Sequence, residues 1–293
     1  MFRGSLTALV TPFKNGAVDE DAFAALAERQ INAGTHGLVP CGTTGESPTL
    51  EADEKKRLIA LTVEIAAGRV PVIAGTGSNA TASTIAMQRY AKEAGADAGL
   101  VVAPYYNKPS QDGLFAHFKA VSDAVDLPII VYNIPGRSIV DIQTPAMARI
   151  AALKNVAGVK DATGDIGRVS AYRIAITGEF CQLSGEDPTA IAYNAHGGQG
   201  CISVTSNVAP DLCAQMQEAS LEGRLDDARA IQDKLYPLHQ ALFLSPSPGP
   251  AKYALSLMGL CSDELRLPLT GPDETVKAAI RAALDHAGLE YSA

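Results

Sequence analysis

Eight times along this chain a short apolar, β-branched run is followed by a segment with the length and spacing of an amphipathic helix. The runs are LTALVTPF (6–13), GLVPCG (37–42), VPVIAGTG (70–77), AGLVVAPYY (98–106), LPIIVYNIP (127–135), VAGVKDA (156–162), CQLSGE (181–186) and GCISVTS (200–206). The segments after them span 19–33, 51–67, 79–94, 111–124, 144–153, 166–177, 187–195 and 208–221. Even βα alternation of this length predicts a closed parallel (β/α)8 TIM barrel over residues 1–222. From 223 to 293 only helical patterns remain, broken at SPSPGP (245–250), which predicts a C-terminal helical extension packed on the barrel. An open doubly wound sheet is the structural alternative, and it usually brings a phosphate loop or dinucleotide fingerprint. GTGSNAT (75–81) has neither the third glycine of that fingerprint nor a P-loop lysine.

A net charge of −8 and the absence of any basic block argue against nucleic-acid binding. The apolar run near the start is too short to span a membrane and has no signal-peptide pattern. Cys41, Cys181, Cys201, Cys213 and Cys261 are scattered, as are the five histidines, so no metal or cofactor is expected and the chain reads as cytosolic.

A barrel gives position 160 its meaning. In GVKDATGD (158–165) a lysine ends a buried strand before a turn that leads to a helix near Ile166. Alternation turns Val159 toward the helices and Lys160 inward, above Gly158, whose missing side chain is expected to leave it room. The C-terminal ends of barrel strands are where this fold keeps its active sites. A lysine at a strand end is ordinarily a solvated loop residue. Buried and aimed inward it favours its neutral amine, which can attack a ketone and form a Schiff base.

Two other stretches lie at strand ends on the same face. CGTTGES (41–47) offers backbone N–H groups and the hydroxyls of Thr43 and Thr44 to a carboxylate; its plain alternative is an ordinary βα turn. YNIPGR (132–137) places Tyr132 at the end of an apolar strand, where a phenol can carry protons. Arg137 follows in a loop where a guanidinium can clamp a carboxylate. Alone, the first reads as a buried core tyrosine and the second as a surface arginine.

Taken together, GTTGES, PYYNKPSQDGLFAHF, VYNIPGR, GVKDATGD and GCISVTSNVAP resemble, in order and spacing, the dihydrodipicolinate synthase family of pyruvate-dependent lyases over essentially the whole chain. The resemblance implies a (β/α)8 enzyme, usually a homotetramer, that condenses pyruvate with L-aspartate-4-semialdehyde and needs no cofactor. It implies Lys160 as the Schiff-base lysine and Tyr132 as the general acid/base. By the same resemblance, Thr44 matches the threonine that links Tyr132 to a second tyrosine, here Tyr106, which in the family reaches into a neighbouring subunit's site. Thr43 and Thr44, with backbone near Ile202, match the pyruvate-carboxylate site. Arg137 matches the receptor of the semialdehyde carboxylate, and Gly185 a backbone contact near the condensation site. In lysine-inhibited members a dimer-interface cleft binds the amino acid. Here Ser47, Asn79 and Tyr105 match that cleft, while Ser83 stands where a glutamate is expected and Ala52 and Lys55 replace two histidines. Poor inhibition by lysine is therefore expected.

Two rivals remain at this level. One is a sister aldolase on the same scaffold, such as N-acetylneuraminate lyase or a 2-keto-3-deoxy sugar acid aldolase; the second threonine of GTTGES, the tyrosine pair and Arg137 favour the synthase. The other is a non-catalytic pyruvate-binding barrel, against which the full set of matched proton-transfer residues speaks.

Overall fold

The computed structural model describes residues 2–292. Its eight barrel strands are β1 (Gly4–Ala8), β2 (Gly37–Val39), β3 (Ile73–Gly75), β4 (Ala98–Val102), β5 (Ile129–Asn133), β6 (Val156–Asp161), β7 (Cys181–Ser184) and β8 (Gly200–Ser203). They form one sheet, all paired parallel, in the order β2–β1–β8–β7–β6–β5–β4–β3. A parallel bridge from Leu38 in β2 to Val72, just before β3, brings the two ends together. The expected (β/α)8 TIM barrel is the observed fold.

The helices of the barrel are α1 (Glu20–Asn32), α2 (Ala52–Ala66), α3 (Thr81–Ala94), α4 (Gln111–Ala124), α5 (Thr144–Ala151), α6 (Gly167–Ala175), α7 (Ala190–Ala195) and α8 (Pro210–Leu221). Their starts are set by local chemistry. The Asp19 carboxylate accepts from the Ala22 N–H at the head of α1, and the Ser110 hydroxyl from the Gly113 N–H at the head of α4. Glu51 and Glu54 form a reciprocal capping box on α2. The helix after β7 begins three residues later than the pattern suggests, at Ala190 rather than 187. Single 3₁₀ turns at Asp187–Thr189 and Thr205–Asn207 precede α7 and α8, and the buried Asp187 carboxylate ties the two together by accepting from the Val204 and Thr205 N–H groups.

Alternation sorts the strand side chains into two layers. Leu6, Val39, Ile73, Leu100, Ile130, Leu183 and Ile202 fill the barrel interior. Val101, Val131 and Val159 face outward against Phe118 of α4, Met147 of α5 and Tyr172 of α6. Three further helices follow: α9 (Leu225–Ala241), α10 (Gly249–Leu257) and α11 (Glu274–Ala287). Leu235, Leu238, Leu255, Ile280 and Leu284 from these helices share a core with Val204, Val208 and Met216 of the last βα unit. No helix among the described residues is long and apolar enough to cross a membrane.

Candidate active site

Lys160 is the penultimate residue of β6 and is 5% exposed. Strand register sets it directly beside Tyr132 of β5 and Leu183 of β7. Its ammonium stands 4.3 Å from the centroid of the Tyr132 ring, in cation–π contact. Val159 is buried on the helix side, so the inward aim expected from alternation is the one observed. The expected part of Gly158 is not. A Cβ there would stand 2.3 Å from the Cys181 carbonyl oxygen, so this glycine lets β7 approach β6 and gives Lys160 no space. Room for the lysine comes from Gly185, where a Cβ would come within 3.2 Å of the Lys160 Cε.

The strand end behind Lys160 is tied down on both sides. The Asp161 carboxylate accepts from the Thr163 backbone N–H (2.9 Å) and hydroxyl (2.6 Å), and the Asp165 carboxylate accepts from the Gly167 N–H to start α6. Burial raises the Asp161 carboxyl pKa against those bonds. The Gly185 N–H donates to the Asp161 carbonyl and the Ala162 N–H to that of Asn133, locking β7 and β5 to the same turn. Asn133 in turn donates to Asp141, which Arg168 grips with two nitrogens. One group that the sequence pattern did not single out lies next to this turn. Burial, then the neighbouring Asp187, pushes the half-buried Glu186 carboxyl up, and Lys160 pulls it down.

A cavity of about 250 Å³ is lined among others by Thr43, Ser47, Lys55, Tyr105, Tyr132 and Arg137; Lys160 is not one of its lining residues and meets it through the Tyr132 ring. The loop carrying Thr43 and Thr44 is tightly wound. The Gly45 N–H donates to the Gly42 carbonyl, the Glu46 N–H to that of Thr43, and the Thr11 hydroxyl to that of Gly45. Thr44 is buried, and its hydroxyl bonds no other described residue. Ile202 lies in the interior cluster with Tyr132. Arg137 sits on a helical turn, Pro135–Ser138, directly after β5. It is exposed at the cavity and makes no ion pair among the described residues, which leaves its guanidinium free for an anion.

Other predicted residues are not brought together. Tyr106 is 88% exposed at a left-handed backbone position (φ 71°), and no hydrogen bond joins its side chain to Tyr132 or Thr44. Of the four cleft positions, Ser47 and Tyr105 line the cavity, whereas Ser83 is exposed on α3 and Asn79 contributes its carbonyl to the Asn107 side chain. Lys55 lines the cavity half-buried, and burial draws its ammonium pKa down.

Beneath the threonine loop is an ion pair that the sequence pattern did not suggest. Glu46 and Lys252 are both fully buried and 2.8 Å apart. The ammonium also donates to the Thr11 carbonyl, while the other Glu46 oxygen accepts from the Arg266 N–H. Lys252 and Arg266 both stack on the ring of Phe13, at 4.2 and 4.4 Å.

The chain matches the model of the dihydrodipicolinate synthetase family over residues 1–287. It is 62% identical over 289 residues to the 4-hydroxy-tetrahydrodipicolinate synthase of Parvibaculum lavamentivorans, covering 99% of each chain. Its structure resembles that of the dihydrodipicolinate synthase of Aquifex aeolicus, with a TM-score of 0.97, 42% identity and full coverage of both chains. A dihydrodipicolinate synthase variant described as monomeric is similar too, with a TM-score of 0.95, 43% identity and coverage of 99% of this chain and 98% of the other. Over nearly its whole length, then, this chain belongs to the dihydrodipicolinate synthetase family.

Proposed function

We propose that the protein condenses pyruvate with L-aspartate-4-semialdehyde, through a Schiff base on Lys160, to give 4-hydroxy-tetrahydrodipicolinate for the diaminopimelate route to lysine. The observation that carries this reading is the buried Lys160 amine against the Tyr132 ring at the C-terminal mouth of the barrel. The amine attacks the ketone carbon of pyruvate, and the carbinolamine loses water to give an iminium. That cation acidifies the adjacent methyl group, and loss of a proton gives an enamine. The enamine carbon attacks the aldehyde and forms the new carbon–carbon bond. The amine of the semialdehyde then displaces Lys160, which closes the ring and frees the enzyme. Tyr132 and Thr44 move the protons, Thr43 and Thr44 hold the pyruvate carboxylate near Ile202 and Gly185, and Arg137 receives the second carboxylate. In this reading residues 1–222 supply the chemistry and 223–293 brace them, in the cytoplasm. The assay that tests it offers pyruvate with aspartate semialdehyde, N-acetylmannosamine or glyceraldehyde in parallel. Turnover with the first alone supports the synthase; turnover with a sugar acceptor alone overturns it.

Arg137→Ala should lower kcat/KM for the semialdehyde on the order of 10- to 100-fold, the value of a charge-assisted contact of about 2–3 kcal/mol, with little effect on pyruvate. Equal losses for both substrates in steady-state kinetics would assign Arg137 a structural part instead.

Tyr106 is 88% exposed and hydrogen-bonds none of the other described residues through its side chain, which fits a role in a neighbour's site within a homotetramer. Mixing Tyr106→Phe with Lys160→Ala protein under conditions of subunit exchange should restore part of the lost activity. No recovery despite exchange would oppose a shared site.

L-Lysine should inhibit poorly. Lys55 presents an ammonium to the cavity where a cationic ligand would sit, and Ser83 supplies no carboxylate. Glu54 is held by Arg266 through two bonds of 2.6 Å and cannot substitute. Each change is worth about 1–3 kcal/mol, together on the order of 100-fold in affinity. Half-inhibition at submillimolar lysine, titrated near the KM for pyruvate, would contradict this.

A further inference from the structure

We propose that the buried Glu46–Lys252 pair, together with Thr11, positions the threonine loop that grips the pyruvate carboxylate; the proposal rests on the reading of that loop given above. Glu46 has φ 54°, a left-handed conformation that a residue with a side chain adopts only under restraint. The restraint is visible. One carboxylate oxygen meets the Lys252 Nζ at 2.8 Å, and the other accepts from the Arg266 N–H at 3.1 Å. The backbone so fixed is the one whose N–H donates to the Thr43 carbonyl. Lys252 lies in α10, outside the barrel, yet it also donates to the Thr11 carbonyl at 2.9 Å. The hydroxyl of the same Thr11 holds the Gly45 carbonyl at 2.8 Å. One ammonium therefore clamps the loop that follows β1 to the one that follows β2, at the residues directly after Thr43 and Thr44. Filling this space alone calls for no charge, since an apolar pair of equal volume avoids the desolvation cost. What the ion pair adds is direction, the property a preorganised site requires.

These are positioning residues, and their signature is a split between kinetic constants. The double variant Glu46→Gln/Lys252→Met removes both charges and leaves neither buried alone. It should raise the KM for pyruvate about 10-fold, with kcat at saturating pyruvate and the KM for the semialdehyde within about twofold of wild type. Thr11→Val removes a single hydroxyl and should raise the KM for pyruvate about threefold, so it decides the matter if the double variant does not fold. A folded Thr11→Val or double variant with the wild-type KM for pyruvate overturns the proposal, as does a fall in kcat without a change in that KM. Borohydride trapping of pyruvate on the wild-type protein separates the levels. If no adduct forms, the reading of the site fails and the proposal with it. If an adduct forms on Lys160 and the KM does not move, only the positioning role fails.

Discussion

Lys160→Met should abolish turnover, lowering kcat by at least about 10⁴-fold, while the protein stays folded. The size follows from the chemistry. Without the amine there is no iminium, and without the iminium the methyl group of pyruvate is not acidic enough to give a nucleophilic carbon. Methionine is close to lysine in length and suits the apolar surroundings of Leu183 and Ile202. The substitution removes a buried amine that makes no ion pair among the described residues, so the thermal midpoint should not fall. Steady-state kinetics beside a thermal melt measures both quantities. Residual activity within tenfold of wild type in a folded variant would show that the carbon–carbon bond forms without this amine.

Tyr132→Phe should cost about 10²- to 10³-fold in kcat, within the range for loss of a positioned acid/base group. The phenyl ring keeps the 4.3 Å contact with the Lys160 ammonium and the packing against the barrel interior, so only the hydroxyl is lost. Adduct formation with pyruvate should slow by a similar factor, because dehydration of the carbinolamine needs the same proton carrier. Stopped-flow trapping alongside kcat tests this. A kcat within threefold of wild type would assign the proton to another group, and the neighbouring Glu186, its carboxyl raised by burial, is the candidate to examine next.

What sequence reading could and could not see follows from the range of the interactions involved. The barrel was legible because each βα unit repeats a local pattern, and Lys160 and Tyr132 because alternation within a strand fixes which way a side chain points. Gly185 rather than Gly158 stands against Lys160, because which glycine faces the lysine depends on how β7 approaches β6, and a single strand does not record that. Tyr106 was placed by family resemblance alone. Its exposure in one chain is what a role across an interface requires, and the local pattern is silent on it. The Glu46–Lys252 pair joins residues 206 positions apart. A lysine in the apolar stretch GPAKYALSL gives a hint of burial, but the partner is set by tertiary packing.

The account turns on which amine forms the Schiff base. Lys160 is not the sole lysine near the cavity, since Lys55 lines it with an ammonium pKa lowered by burial. Borohydride reduction in the presence of pyruvate, followed by peptide mapping, distinguishes them. The expected result is an inactivated enzyme with the reduced pyruvate adduct on the peptide containing Lys160. An adduct on Lys55, Lys56 or Lys154, or no adduct in an enzyme that still turns over, would contradict it.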